Sequence, residues 1–175
     1  VTGIEVQEAQ VQLARESAKR NGLEDRLRFL HGDVKDIRKL VEASSFDAVL
    51  CNPPYGEAGR GPVSESSAAF IARHETTASL FDFVQAAAYA LKPGGRFVIV
   101  HRPSRLPDIF EACRACGLEP KRMRLVLPRP GAAPNIVLVS ASKGGGKELT
   151  VDPSLCVRGE DGAYSEELQR IYGRI

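Results

Sequence analysis

The sequence predicts an α/β fold built on a doubly wound, mostly parallel sheet. Short apolar runs alternate with amphipathic stretches at helical spacing, the pattern of strand–helix–strand units. Acids stand where the first two of those runs end, at Glu5 and Asp33. The run Phe46–Cys51 is halted by Asn52-Pro53-Pro54-Tyr55. Proline donates nothing to a sheet ladder, and a residue before proline is held extended, so pairing stops at a stiff turn. In open α/β sheets the carboxyl ends of strands are where ligands bind.

Each element follows from its residues. Residues 1–6 read as a strand ending in an acid. Residues 7–21 read as a helix with Gln10, Leu13, Ala14 and Ala18 on its inner face, stopped by Asn21-Gly22. A second strand covers 27–31 and closes into Gly32-Asp33-Val34. A short helix over 36–42 leads to the strand Phe46–Cys51, expected to be buried. Residues 56–67, rich in Gly, Ser and Glu, form either a lid over the site or a plain connection. Thr76 or Thr77 caps a helix facing inward through Leu80, Phe81, Val84, Ala88 and Leu91. Lys92-Pro93-Gly94-Gly95 ends that helix and turns into a strand over 96–101. A helix over Leu106–Ala115 stops at Gly117, and strands over 119–127 and 135–141 flank the connection 128–134. Residues 143–147 read as a flexible spacer, and 148–175 as a tail packing on the domain, with an extended stretch and a helix near 165–172.

At 175 residues the chain suits one domain, 1–175, with a sizeable core. With 24 Lys+Arg against 22 Asp+Glu, the net charge of +2 neither demands nor excludes a nucleic acid. The string Pro120-Lys121-Arg122-Met123-Arg124, with Arg102, Arg105 and Arg129, is either a phosphate-binding face or a solvated edge. Of the 4 cysteines, Cys113 and Cys116 form a lone pair spaced C-x-x-C without the second pair a zinc site needs. No metal is expected. Reduced thiols, no signal peptide and no apolar run long enough for a bilayer predict a cytoplasmic protein without a membrane partner.

Asn52-Pro53-Pro54-Tyr55 resembles the Asn/Asp-Pro-Pro-Tyr/Phe signature of methyltransferases that use S-adenosylmethionine on planar amino groups. An exocyclic amine on adenine is a poor nucleophile, because its lone pair is delocalised into the ring. Acceptors at its N–H groups, here the Asn52 side chain and the Pro53 carbonyl, favour the electron-rich nitrogen of the transition state. Tyr55 offers a stacking face for the base. Glu5 with Val6 and Asp33 with Val34 match the cofactor's ribose and adenine positions in class I methyltransferases, with Asn52 also lining that site. The alternative is that Glu5 caps the next helix and Asp33 only makes a turn.

The stretch Leu91 to Val100, the string His101-Arg102-Pro103-Ser104-Arg105-Leu106, Ala72-Arg73-His74-Glu75 and the ending around Tyr164-Ser165 and Ile171-Tyr172-Gly173 are similar to the bacterial tRNA (adenine-N6)-methyltransferase family. The resemblance covers essentially the whole chain. It implies a Rossmann-like class I methyltransferase sheet of parallel strands plus a C-terminal antiparallel strand, S-adenosylmethionine as cofactor, and a valine tRNA as substrate. His74 and Glu75 line the substrate mouth or stand at a solvated helix entrance. A protein glutamine amide, or adenine in DNA or ribosomal RNA, presents a similar planar nitrogen. A silent RNA-binding or assembly module is the reading from another class.

One family feature finds no counterpart. No early glycines form the loop that wraps the cofactor's methionine end, and the first strand is missing too. The sequence reads as beginning at the second strand, a truncated form impaired in cofactor binding. Open sheet edges then invite pairing, including a homodimer.

Overall fold

The computed structural model describes residues 1–54 and 78–175. A parallel pair opens the chain: β1 (Thr2–Glu5) and β2 (Arg28–His31), connected by α1 (Glu8–Arg20). A 3-10 turn (Val34–Asp36) and the one-turn helix α2 (Ile37–Leu40) lead to β3 (Phe46–Cys51). After the undescribed residues come α3 (Leu80–Ala90), β4 (Leu91–His101), α4 (Leu106–Ala115), β5 (Leu118–Leu127) and β6 (Ile136–Lys143). The chain closes with β7 (Thr150–Cys156) and α5 (Glu166–Ile171). Tyr55, residues 56–67, His74, Glu75, Thr76 and Thr77 lie outside the described residues.

Strands β3 to β7 form one sheet in the order β3-β4-β6-β5-β7, separate from the β1-β2 pair. β3 and β4 run parallel, β6 runs antiparallel to both β4 and β5, and β7 runs parallel to β5. Among the described residues no ladder joins β1 to β3. The α2–α3 contacts and the Ser44 and Ser45 amides on the Tyr89 and Ala90 carbonyls tie the two parts together.

One face of the larger sheet carries the main core. Phe97 and Ile99 of β4 and Val137 and Val139 of β6 pack with Val84 and Ala87 of α3 and Ile109 and Ala112 of α4. The other face holds Val126, Leu155 and Leu168, which brings α5 onto β5 and β7. Alternation along β5 and β6 explains the split, since neighbouring residues of a strand point to opposite faces.

Several expectations change. On α1 the buried stripe is Val11 and Ala18, while Leu13 is 57% exposed. This helix covers only a two-stranded pair, so a narrow line of contact suffices. β3 is not a buried strand: Leu50 is 79% exposed, because β3 is an edge of the five-stranded sheet. Phe81 of α3 is also exposed rather than inward-facing. Lys92–Gly95 does not precede the strand but forms a bulge inside β4, where the register jumps from Phe46↔Leu91 to Ala48↔Arg96. Gly94 has φ +76 there, and a Cβ on Gly95 would stand 2.8 Å from the Lys92 carbonyl oxygen, so both glycines are needed.

Residues 143–147, expected as a spacer, are held by hydrogen bonds. Lys143 belongs to β6 and its ammonium donates to the Ala88 and Leu91 carbonyls, while Lys121 donates to the Gly146 and Lys147 carbonyls.

The cap of α3 is Ser79, not Thr76 or Thr77. Its hydroxyl accepts from the Asp82 amide, and the Asp82 carboxylate accepts from the Ser79 amide at 2.7 Å, a reciprocal capping box. Ser79→Ala should cost about 1 kcal/mol of stability in urea unfolding, with the slope of the transition unchanged.

Candidate functional site

The sheet order sends the carboxyl ends of β3 and β4 to the same edge. Asn52 follows β3 and is exposed, Pro53 is buried and Pro54 exposed, so the stiff turn is pinned by one ring. Because Cys51 pairs with Ile99, Asn52 and Pro53 stand level with Val100 and His101. Burial pushes the Cys51 thiol up to about 12, so it is a packing group. Tyr55 lies outside the described residues.

His101 is the buried polar residue of this edge, at 2% exposure. Its Nδ1 accepts the Arg102 amide N–H at 2.8 Å, which places the proton of the neutral ring on Nε2. Burial, and then Arg105 and Arg102, lower its pKa, so the ring is neutral around pH 7. In the sequence His101 stands only as part of the string His101–Leu106. Its signal was a polar side chain closing an apolar strand.

The carboxylates sit at the ends of the other pair. Glu5 is matched with His31 across the β1–β2 ladder, and Asp33 follows two residues beyond. Glu5 Oε1 accepts the Gln7 amide at 2.9 Å, and Asp33 Oδ1 accepts the Lys35 amide at 2.9 Å. Each acid therefore makes the local contact that the turn-and-cap alternative required. Asp33 Oδ2 also pairs with the Lys35 ammonium at 3.5 Å; an ionised carboxylate has about four acceptor sites, so capacity remains on both acids. The Val6 carbonyl accepts from His31 Nε2 at 2.9 Å, and Val34 opens the 3-10 turn that Asp33 caps.

Gln7, in the sequence only the start of a helix, stands in the Glu5 turn. Its side-chain Nε2 is buried without a hydrogen-bond partner. An unmatched buried donor costs roughly 1–3 kcal/mol, so a polar acceptor is wanted in that turn. The signal in the sequence is slight: glutamine, which is not a favoured N-cap residue, stands directly before the helix.

The basic string does not form a free face. Arg122 pairs with Asp152 at 2.8 Å, Arg124 pairs with Glu167 at 2.6 Å, and Lys121 is spent on backbone carbonyls. Arg105 pairs with Asp108, and Arg129 is exposed in the β5–β6 connection. Among the described residues a cleft of about 650 Å³ opens between Thr2, Arg28 and Phe46 at the amino ends of the strands, away from Asn52, Glu5 and Asp33. Among the described residues no group of three His, Cys, Asp or Glu could hold a metal ion, and no helix is long and apolar enough to cross a membrane.

Comparison with known proteins assigns this arrangement. The tRNA1(Val) (adenine(37)-N6)-methyltransferase of Shewanella sp. strain MR-4 is 28% identical over 174 residues, covering 96% of this chain and 70% of that protein. The crystal structure of a predicted O-methyltransferase, protein Atu636 from Agrobacterium tumefaciens, superposes with a TM-score of 0.79 at 22% identity, over 99% of this chain and 76% of that one. TrmN from Thermus thermophilus matches with a TM-score of 0.56 at 23% identity, over 82% of this chain and 36% of that one. The architecture is therefore that of class I methyltransferases. A methyltransferase domain model matches residues 1–119, well over half of the sequence, and the chain belongs to that methyltransferase domain family.

Proposed function

We propose that this protein is a methyltransferase that uses S-adenosylmethionine to methylate the exocyclic amine of adenine in a tRNA, of the valine-tRNA adenine-N6 type. The observation that carries the reading is Asn52-Pro53-Pro54 at the carboxyl end of β3, an exposed asparagine level with the buried His101 that ends the neighbouring strand. The name of the Shewanella relative, aligned over nearly the whole chain, supports the acceptor.

The residues present fit the adenosine half of the cofactor. Glu5 and Asp33 keep acceptor capacity for ribose hydroxyls and an adenine amino group, Gln7 supplies an unused donor, and Val6 and Val34 flank the two acids. These residues account for the adenosine half alone. When bound, S-adenosylmethionine supplies an electrophilic methyl carbon on a sulfonium.

The chain's own work is on the acceptor. The Asn52 side-chain oxygen and the Pro53 carbonyl take hydrogen bonds from the two N–H groups of the target amine and hold its lone pair out of the ring. Both groups are fixed by the proline turn, so little reorganisation is needed at the moment of transfer. The target base would be extruded from its stack, as enzymes acting on bases require, and the stacking role falls in this proposal to Tyr55, which lies outside the described residues. The methylated nitrogen then sheds one proton to water.

The test supplies tritiated S-adenosylmethionine with total tRNA, DNA or total protein in parallel. Label in tRNA, recovered as N6-methyladenosine after digestion, is the expected result. Label in a glutamine amide or in DNA would reassign the acceptor, and no label anywhere would favour a silent binding module.

A further inference from the structure

A second exposed surface stands on the same sheet edge as Asn52. The carboxyl ends of β3, β4, β5 and β7 and the amino end of β6 meet there, as the pairings Val137↔His101, Val126↔Ile136 and Leu127↔Cys156 require. Beyond β7 the chain turns back through an Arg158↔Tyr164 bridge, and the Arg158 amide donates to the Pro128 carbonyl. This turn and the end of α5 stand four strand positions from β3, roughly 19 Å along the edge.

The surface is aromatic and cationic. The Arg158 guanidinium lies 4.9 Å from the Tyr164 ring centroid, and Arg174 lies 5.4 Å from Tyr164 and 5.5 Å from Tyr172. The two rings are 6.4 Å apart and tilted by 59°. Tyr164 is 38% and Tyr172 62% exposed, so both keep contact area for a further planar group. Among the described residues no carboxylate pairs with Arg158 or Arg174; the Arg158 guanidinium donates one hydrogen bond to the Gly162 carbonyl at 2.6 Å, and Arg129 is exposed in the connection that receives the Arg158 amide. Three neighbouring acids are engaged: Glu166 with Arg170, Glu167 with Arg124, and Asp161 with the Ala163 amide. Glu160 is exposed in the turn.

We propose that Tyr164, Tyr172, Arg158 and Arg174 form a docking platform for single-stranded RNA flanking the target base. The proposal rests on the RNA reading above. Exposed rings stack on unpaired bases whatever their sequence, and arginine planes beside them take phosphates or stack in turn. A duplex offers no free base faces to such a surface, so the fitting partner is a loop or strand end.

The probe is a labelled RNA hairpin with an adenosine in its loop, titrated by anisotropy against the full chain. Tyr172→Ala should weaken binding roughly tenfold while Tyr172→Phe binds as wild type, because stacking needs the ring and not the hydroxyl. Arg174→Ala should lower the salt slope by about one. Unchanged melting profiles would assign these effects to binding. Equal hairpin binding by wild type, Tyr172→Ala and Arg174→Ala would overturn the platform and leave the methylation reading standing. Binding that depends on the platform without methyl transfer would overturn that reading alone. A wild-type chain that binds no RNA would overturn both.

Discussion

Asn52→Ala should lower methyl transfer by about a hundredfold or more while RNA binding and stability stay near wild type. The size follows from the role. Removing one preorganised group that acts on developing charge costs on the order of 10²–10³ in rate. The specificity follows from position: Asn52 is exposed, beyond the last paired residue of β3, and surface changes of that kind usually move stability by about 0.5 kcal/mol or less. Asn52→Asp keeps an acceptor at the same place and should retain more activity than Asn52→Ala. Single-turnover rates with saturating RNA and cofactor separate chemistry from binding. Full turnover by Asn52→Ala would remove Asn52 from the chemistry, and a parallel loss of RNA affinity would make it a docking residue.

Local stiffness made this site legible in the sequence. Two prolines after an apolar run end a strand whatever surrounds them, and β3 closes at Cys51 as expected. The helix Leu106–Ala115 has the expected bounds because Pro107 fits its first turn and Gly117, with φ +73, stops it. What stayed hidden depends on neighbours distant in sequence. The exposure of Leu50 follows from β3 being a sheet edge, which no property of its own six residues states. The cations of the 120–124 string looked available until Asp152 and Glu167 came to meet them. Gln7 became notable only when the turn around Glu5 left its amide without a partner. The strand-end acids were legible as acids at strand ends, and the hydrogen bonds they make to Gln7 and Lys35 were equally implied by the turns that follow them.

Phe97→Ala should produce the largest loss of stability in the chain. Phe97 is fully buried, the largest such side chain among the described residues, and is paired with Val49 on one side and Ala141 on the other. It lies in the cluster that joins α3 and α4 to the sheet. Truncating a buried phenylalanine costs roughly 3–5 kcal/mol, the transfer of its atoms plus the cavity left behind. Against a total of about 5–15 kcal/mol for a typical domain, that is a large share, and the melting temperature should fall by roughly 10 °C. Urea unfolding checks the value, with the exposed Leu13→Ala expected within about 0.5 kcal/mol of wild type. The loss should reach the site as well. β4 carries Phe97 four residues before His101 and sets the register of β3, so a strand that loosens at Phe97 moves the Asn52 turn relative to the His101 ring. Methyl transfer by Phe97→Ala should therefore fall at temperatures well below its melting point. If activity instead tracks the folded fraction alone, the β3–β4 pairing is rigid enough to position the turn without the ring beneath it.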